Sequence, residues 1–169
     1  IIDANRDAIG EMDSESVERK EIAGIFAHFK GLRSETSAIA TTARLIIHDE
    51  ASRSNQVAMR TMESRSKAVE ASKRYRYMFS NPTVERDILD DEWNRSDKKE
   101  WHVTCPTCKD EHVLKFPSSI NRDRKVYICR ECEADLPDVA RRKGRWKATG
   151  TGKISGYHIT HLMCVWITA

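Results

Sequence analysis

Trp101-His102-Val103-Thr104-Cys105-Pro106-Thr107-Cys108 and, after twenty further residues, Cys129-Arg130-Glu131-Cys132 decide how the second half of this chain folds. A Cys-x-x-Cys bend presents two thiolates from one turn. Two such bends at this separation are drawn together by the hairpin between them into a tetrahedral four-cysteine site. The spacing predicts a zinc ribbon with Cys105, Cys108, Cys129 and Cys132 as ligands. Trp101 to Thr104 and His112 to Phe116 are expected to form its first hairpin arm, and Lys125 to Ile128 to lead into the second knuckle. Four thiolates complete a closed structural site, which leaves no open position for catalytic zinc and no coordination role for His102 or His112.

Downstream, Leu136 to Gly144 fits a short helix with a basic last turn and a glycine stop. Arg145 to Ala148 resumes extended structure, and Gly156 to Leu162 alternates like a strand. The intervening Thr149-Gly150-Thr151-Gly152-Lys153 reads as a flexible turn. It is not a phosphate loop, because the upstream glycine and the strand-to-helix context are missing. Cys164 sits in the apolar run Leu162 to Trp166 and reads as a small buried hydrophobe.

Upstream, Ala43-Arg44-Leu45-Ile46-Ile47-His48-Asp49-Glu50 is an aliphatic run ending in two adjacent carboxylates. A buried parallel strand ends this way when its C-terminal edge carries a site. In nucleotide hydrolases the first carboxylate of such a pair helps hold Mg²⁺ and the second polarises the attacking water. A buried strand followed by a solvated acidic turn fits the same residues. Ser52 or Ser54 is expected to cap a helix through Gln56 to Val69, with Met59 and Met62 facing a core. Tyr75 to Phe79 follows as a strand ending at Ser80-Asn81-Pro82-Thr83, whose hydroxyl and carboxamide suit phosphate or water, or else a plain Asn-Pro turn. Val84 to Trp93 reads as a short helix and residues 94–100 as a charged connector. Gly24 to Gly31 reads as a strand, residues 31–37 as a polar turn, and residues 3–23 as a surface helix or loop.

The 169 residues accommodate one ordinary domain plus a small metal-stapled one. Charged residues at 33%, and the lack of any apolar run of spanning length, predict a protein that does not cross a membrane. Neither end reads as a targeting peptide. Five cysteines, four of them in knuckles, suit a reducing compartment. The net charge of +3 is uneven: residues 1–24 carry three basic and seven acidic side chains, and residues 95–147 fourteen basic and nine acidic. That excess can attract phosphate backbones, and a solvated basic surface accounts for it equally.

In this order the segments resemble the large terminase subunit of tailed bacteriophages, the ATP-driven motor that packages and cuts viral DNA. The resemblance runs from about Gly24 to Ala169. It rests on Leu45 to Glu50 as the Walker B strand, Tyr77 to Thr83 as the coupling motif, Trp93 with Ser96-Asp97, the two knuckles, Gly144-Arg145-Trp146, and Gly156 to Ile159 through Leu162-Met163 and Trp166. It implies an α/β fold: a partial RecA-like P-loop ATPase core with a parallel sheet and a four-cysteine zinc-ribbon insertion. Residues 1–98 would be the C-terminal half of the ATPase core, 99–148 the ribbon with its adjoining helix, and 149–169 a return strand toward a nuclease domain.

The resemblance further implies that Asp49 is the Mg²⁺-ATP acid, Glu50 the catalytic base, and Asn81 with Ser80 the group sensing the γ-phosphate. Its partners would be double-stranded DNA, a small terminase subunit and a portal protein, in a homo-oligomeric motor in the host cytoplasm, transiently at the procapsid. The chain has no Gly-x-x-x-x-Gly-Lys-[Ser/Thr] and no nuclease carboxylate cluster, so it is expected to be an internal piece that does not turn over ATP alone. A stand-alone zinc-ribbon nucleic-acid-binding module and a zinc-containing helicase fragment are the rival readings.

Overall fold

A computed structural model describes residues 18–22, 24–32 and 42–169, apart from the side chain of Ile22. The chain divides into two compact units, Ile1–Leu89 and Asp90–Ala169.

In the first unit, β1 (Arg19–Ile22) and β2 (Ile25–His28) form an antiparallel hairpin that pairs Arg19 with His28 and Ile22 with Ile25. This corrects the expectation of helix or loop at the end of residues 3–23. Residues 3–17 and 23 lie outside the described residues, as do 33–41 of the expected polar turn and the run after it. Gly24 turns the chain at φ 75°, a conformation glycine adopts without a Cβ penalty. The Arg19 guanidinium lies 3.9 Å over the Phe26 ring, so a cross-strand contact rather than apolar alternation holds this polar ladder.

β3 (Leu45–His48) runs parallel to β4 (Tyr75–Met78), with Leu45 opposite Tyr75 and His48 opposite Met78. The connection holds a 3-10 turn at Ala51–Arg53 and α1 (Gln56–Arg65). The cap of α1 is Asn55, not Ser52 or Ser54: its Oδ1 accepts the N–H groups of Val57 and Ala58, each at 3.0 Å. The Ser54 hydroxyl instead donates to the Glu50 carbonyl. α1 stops at Arg65, short of the expected Val69, where the Ser64 and Ser66 hydroxyls bond back to the carbonyls of Thr61 and Glu63 at 2.7 Å. Met59 is fully buried and Met62 half-buried. β3 was expected to be buried on both faces; Ile46 and His48 are buried, but Leu45 and Ile47 are exposed.

α2 (Ile88–Asn94) spans the boundary between the units. In the second unit, β5 (Lys99–Thr104) is the central strand. It pairs antiparallel with β6 (Glu111–Val113) and β9 (Arg145–Ala148), and parallel with β10 (Tyr157–His158). β6 and β10 share one edge of β5, which shortens β10 from the strand expected over 156–162 to two residues. β7 (Ile120–Asn121) and β8 (Val126–Tyr127) make a second hairpin, and α3 (Asp138–Arg142) follows. The core is small: Val103, Cys105, Leu114, Tyr127, Cys129 and Leu136. Trp101, Ile120, Leu162 and Ala169 pack against it. Two of its six buried side chains, Cys105 and Cys129, are thiols.

Candidate functional site

The two knuckles have the same backbone construction. The Cys105 N–H donates to the Asp110 carbonyl at 2.8 Å, and the Lys109 N–H to the Cys105 carbonyl at 3.0 Å. In the second knuckle, the Cys129 N–H donates to Ala134 at 2.9 Å and the Glu133 N–H to Cys129 at 3.0 Å. The residue after each second cysteine is left-handed, Lys109 at φ 65° and Glu133 at φ 56°. Cys105 and Cys129 are buried, Cys108 and Cys132 exposed.

All four Sγ atoms lie within 4.8 Å of one another, with Cys105 to Cys132 and Cys108 to Cys129 each at 3.7 Å. A tetrahedron with metal–sulfur bonds of about 2.3 Å has edges of about 3.8 Å, so the sulfur frame fits a four-thiolate cation. A disulfide is excluded at these distances. Burial raises the Cys105 thiol, but the Cys108 and Thr107 N–H groups and the neighbouring thiols outweigh it and bring it to about 6. The Asp110 N–H lowers Cys108, yet burial and the thiols of Cys132, Cys105 and Cys129 push it up to about 12. Four sulfurs this close cannot all ionise unless a cation lies among them. His112 points elsewhere: its Nδ1 lies 2.8 Å from Asp110 Oδ2.

A second constellation forms at the carboxyl edge of β3 and β4. The Phe79 N–H donates to His48 at 2.8 Å and the Ala51 N–H to Phe79 at 3.2 Å, so the pairing continues one step past both strands. Asp49 and Glu50 therefore lie level with Phe79, Ser80 and Asn81. The Ser80 Oγ accepts the Ser52 N–H at 3.2 Å and its hydroxyl donates to the Asn81 carbonyl, which ties the tip of β4 to the turn after Glu50. Asp49, Glu50 and Asn81 are exposed. Asp49 Oδ1 accepts the Glu50 N–H at 3.0 Å. Glu50 adopts a left-handed conformation, φ 51° and ψ 40°, which costs a residue with a Cβ about 1–2 kcal/mol. Such strain persists where surrounding structure imposes it and clusters at working sites.

Behind this edge sits a group that the sequence did not single out. His48 is buried, with Nε2 3.5 Å from Glu63 Oε1, and Glu63 accepts from Arg76 Nη1 at 3.0 Å. His48, then Arg76, hold the Glu63 carboxyl below its ordinary value against the opposing effect of burial. The three side chains join β3, α1 and β4. The only sequence signal was a histidine closing an apolar run. No helix among the described residues is long and apolar enough to cross a membrane.

No curated protein and no solved structure matches the chain. The family model for the phage terminase large subunit gpA, ATPase domain, matches residues 4–151, which include β3, β4 and both knuckles. With most of its 169 residues under that match, the chain belongs to the phage terminase large subunit gpA ATPase-domain family and is a component of a phage DNA-packaging motor.

Proposed function

We propose that this chain is the Walker B and coupling part of a RecA-like ATPase that drives double-stranded DNA into a procapsid, with a zinc ribbon inserted in the sequence after it. The observation that carries this reading is the parallel register of β3 and β4, which brings Asp49-Glu50 and Ser80-Asn81 to one carboxyl edge. Ligands of open α/β sheets bind at that edge. Residues 1–98 serve as the ATPase part, 99–148 as the ribbon and 149–169 as the lead toward a nuclease that cuts the packaged DNA. Small terminase subunit, portal protein and further copies of the motor are its partners in the host cytoplasm.

Magnesium, when bound with ATP, neutralises phosphate charge. Asp49 is the carboxylate that would hold it. Glu50, freed by its turn from β-sheet pairing, takes the proton of the attacking water. Ser80 is bonded to the turn that carries Glu50, so a shift at Glu50 reaches Asn81 and, through β4, the rest of the unit. Cys105, Cys108, Cys129 and Cys132 hold zinc, which closes the ribbon without taking part in the reaction.

Glu50→Gln in the intact packaging subunit tests the assignment. ATP turnover is expected to fall by at least about 100-fold with DNA binding retained, since a positioned base contributes 10²–10⁴-fold. Unchanged turnover would remove Glu50 from the mechanism.

A further inference from the structure

In the second unit an open cavity of about 600 Å³ lies between residues 94–98 and the 149–154 loop. Its lining includes Arg95, Lys98 and Lys153, the hydroxyl-bearing Thr149 and Thr151, and no carboxylate. The cradle is built by backbone contacts. Thr149 and Gly150 donate their N–H groups to the Asp97 carbonyl at 3.1 and 2.9 Å, and Asp97 donates to Ile154 at 2.9 Å. A Cβ on Gly152 would lie 2.1 Å from the Arg95 carbonyl oxygen, so only glycine lets the loop close this tightly.

The positive charge is largely uncompensated. Lys98 Nζ bonds to the neutral Asn94 side chain at 2.9 Å. Lys153 meets no carboxylate among the described residues. Asp97, whose backbone helps build the cradle, has its carboxylate engaged elsewhere: Lys99 pairs with it and the Gly156 N–H donates to it at 3.1 Å. Arg95, itself exposed, lies 3.4 Å from a carboxyl oxygen of the half-buried Glu92, a long contact that leaves most of the guanidinium open to solvent. Beyond these cations, the backbone N–H groups of Thr151, Gly152 and Lys153 have no partner among the described residues. The Thr149 hydroxyl is spent on the Lys98 carbonyl at 2.7 Å, which leaves three cations, the Thr151 hydroxyl and the loop amides in one concavity, a donor set that matches the backbone of a nucleic acid.

We propose that this cavity seats backbone phosphates of duplex DNA, a binding surface that deepens the motor reading and rests on it. The contacts carry no base recognition, as a motor that moves along any sequence requires.

The test is anisotropy of a labelled random-sequence duplex with the full zinc-loaded chain, titrated at several salt concentrations. Lys98→Gln/Lys153→Gln is expected to weaken binding roughly tenfold. It should make the log–log salt dependence shallower by about 1.8, at about 0.9 for each lost phosphate contact. Lys115→Gln/Lys125→Gln removes the same charge from exposed positions elsewhere and is expected to leave that slope nearly unchanged. Zinc content and tryptophan emission equal to the parent establish that a variant is folded. If the cavity pair fails that check, Arg95→Gln replaces it, with an expected change in slope of about 0.9. The proposal is overturned if both pairs behave alike, if the cavity variant binds as the parent does, or if the parent binds no duplex. It is also overturned if inorganic phosphate at constant ionic strength displaces the duplex completely. ATP turnover in Glu50→Gln does not involve this cavity, so failure here and failure of the motor reading are separate results.

Discussion

Single residues set the limits of the second unit. Gly152 and Gly156 each pack so that a Cβ would strike a neighbour, the Arg95 carbonyl at 2.1 Å in one case and the Ser96 side chain, Oγ at 2.2 Å and Cβ at 2.7 Å, in the other. A carbonyl cannot rotate away as a flexible side chain can. Gly152→Ala is therefore expected to cost about 1–3 kcal/mol, read as a lower denaturant midpoint of tryptophan emission. Glu111 makes the opposite kind of contribution. From β6 it accepts from Arg145 Nε at 2.7 Å and Nη2 at 2.9 Å, and pairs with Lys147, which links β6 to β9 on the far edge of β5. Arg145 first, then Lys147, pull its carboxyl down to about 2. Because the folded value lies below the unfolded one of about 4.5, the stabilisation is complete above that pH and fades as pH falls toward 2. Glu111→Gln is expected to lower the melting temperature at pH 7, with the gap to the parent narrowing below about pH 4.5; a gap independent of pH would refute the ion-pair account.

Among the elements, the knuckles and α3 matter most. Each knuckle holds its loop with two backbone bonds and one left-handed residue, and the four sulfurs of the two knuckles lie close enough together to hold one cation. Cys129→Ala is expected to abolish the binding of one zinc per chain, measured by metal analysis of protein purified reduced without chelator; retained stoichiometric zinc would exclude the four-thiolate site. α3 fastens the end of the chain through Arg141, which is buried with its guanidinium 3.8 Å from the Tyr127 ring centre. It donates to the Leu162 carbonyl at 3.0 Å and to Asp138 Oδ1 at 2.9 Å. The Tyr127 hydroxyl donates to Ile167 at 3.2 Å. Arg141→Leu leaves the Leu162 carbonyl without its guanidinium donor, so faster amide exchange over 160–169 with zinc content intact is the expected result.

At the scale of the whole molecule, all four tryptophans, Trp93, Trp101, Trp146 and Trp166, belong to Asp90–Ala169. Their emission reports on the unit that holds the cysteines. Trp101 lies opposite Trp146 in the β5–β9 ladder with ring centres 5.3 Å apart, and Tyr157 extends the cluster edge-on to Trp146 at 5.0 Å. Removing the metal with a chelator is expected to shift this emission to the red and release the amides of β5 and β9 to exchange. Protection of β3 and β4 should stay unchanged, because their packing contains no thiolate. Equal loss of protection in both units would mean that they fold as one.

What the sequence by itself determined was local and chemical. Knuckle spacing named the four cysteines, the aliphatic run into Asp49-Glu50 marked β3, and the aromatic alternation before Ser80-Asn81 marked β4, because side-chain chemistry and strand period are written in neighbouring residues. The polar β1 strand stayed hidden because a ladder held by Arg19 over Phe26 has no apolar alternation to detect. Asn55 displaced the serines as cap because only its carboxamide reaches two free N–H groups of α1. Tertiary structure alone decided which distant residues meet: the register that sets Glu50 level with Ser80, the His48–Glu63–Arg76 group behind them, the sulfur tetrahedron, and the cavity of Arg95, Lys98 and Lys153. Those pairings depend on how separate elements pack, and no short window of sequence contains both partners.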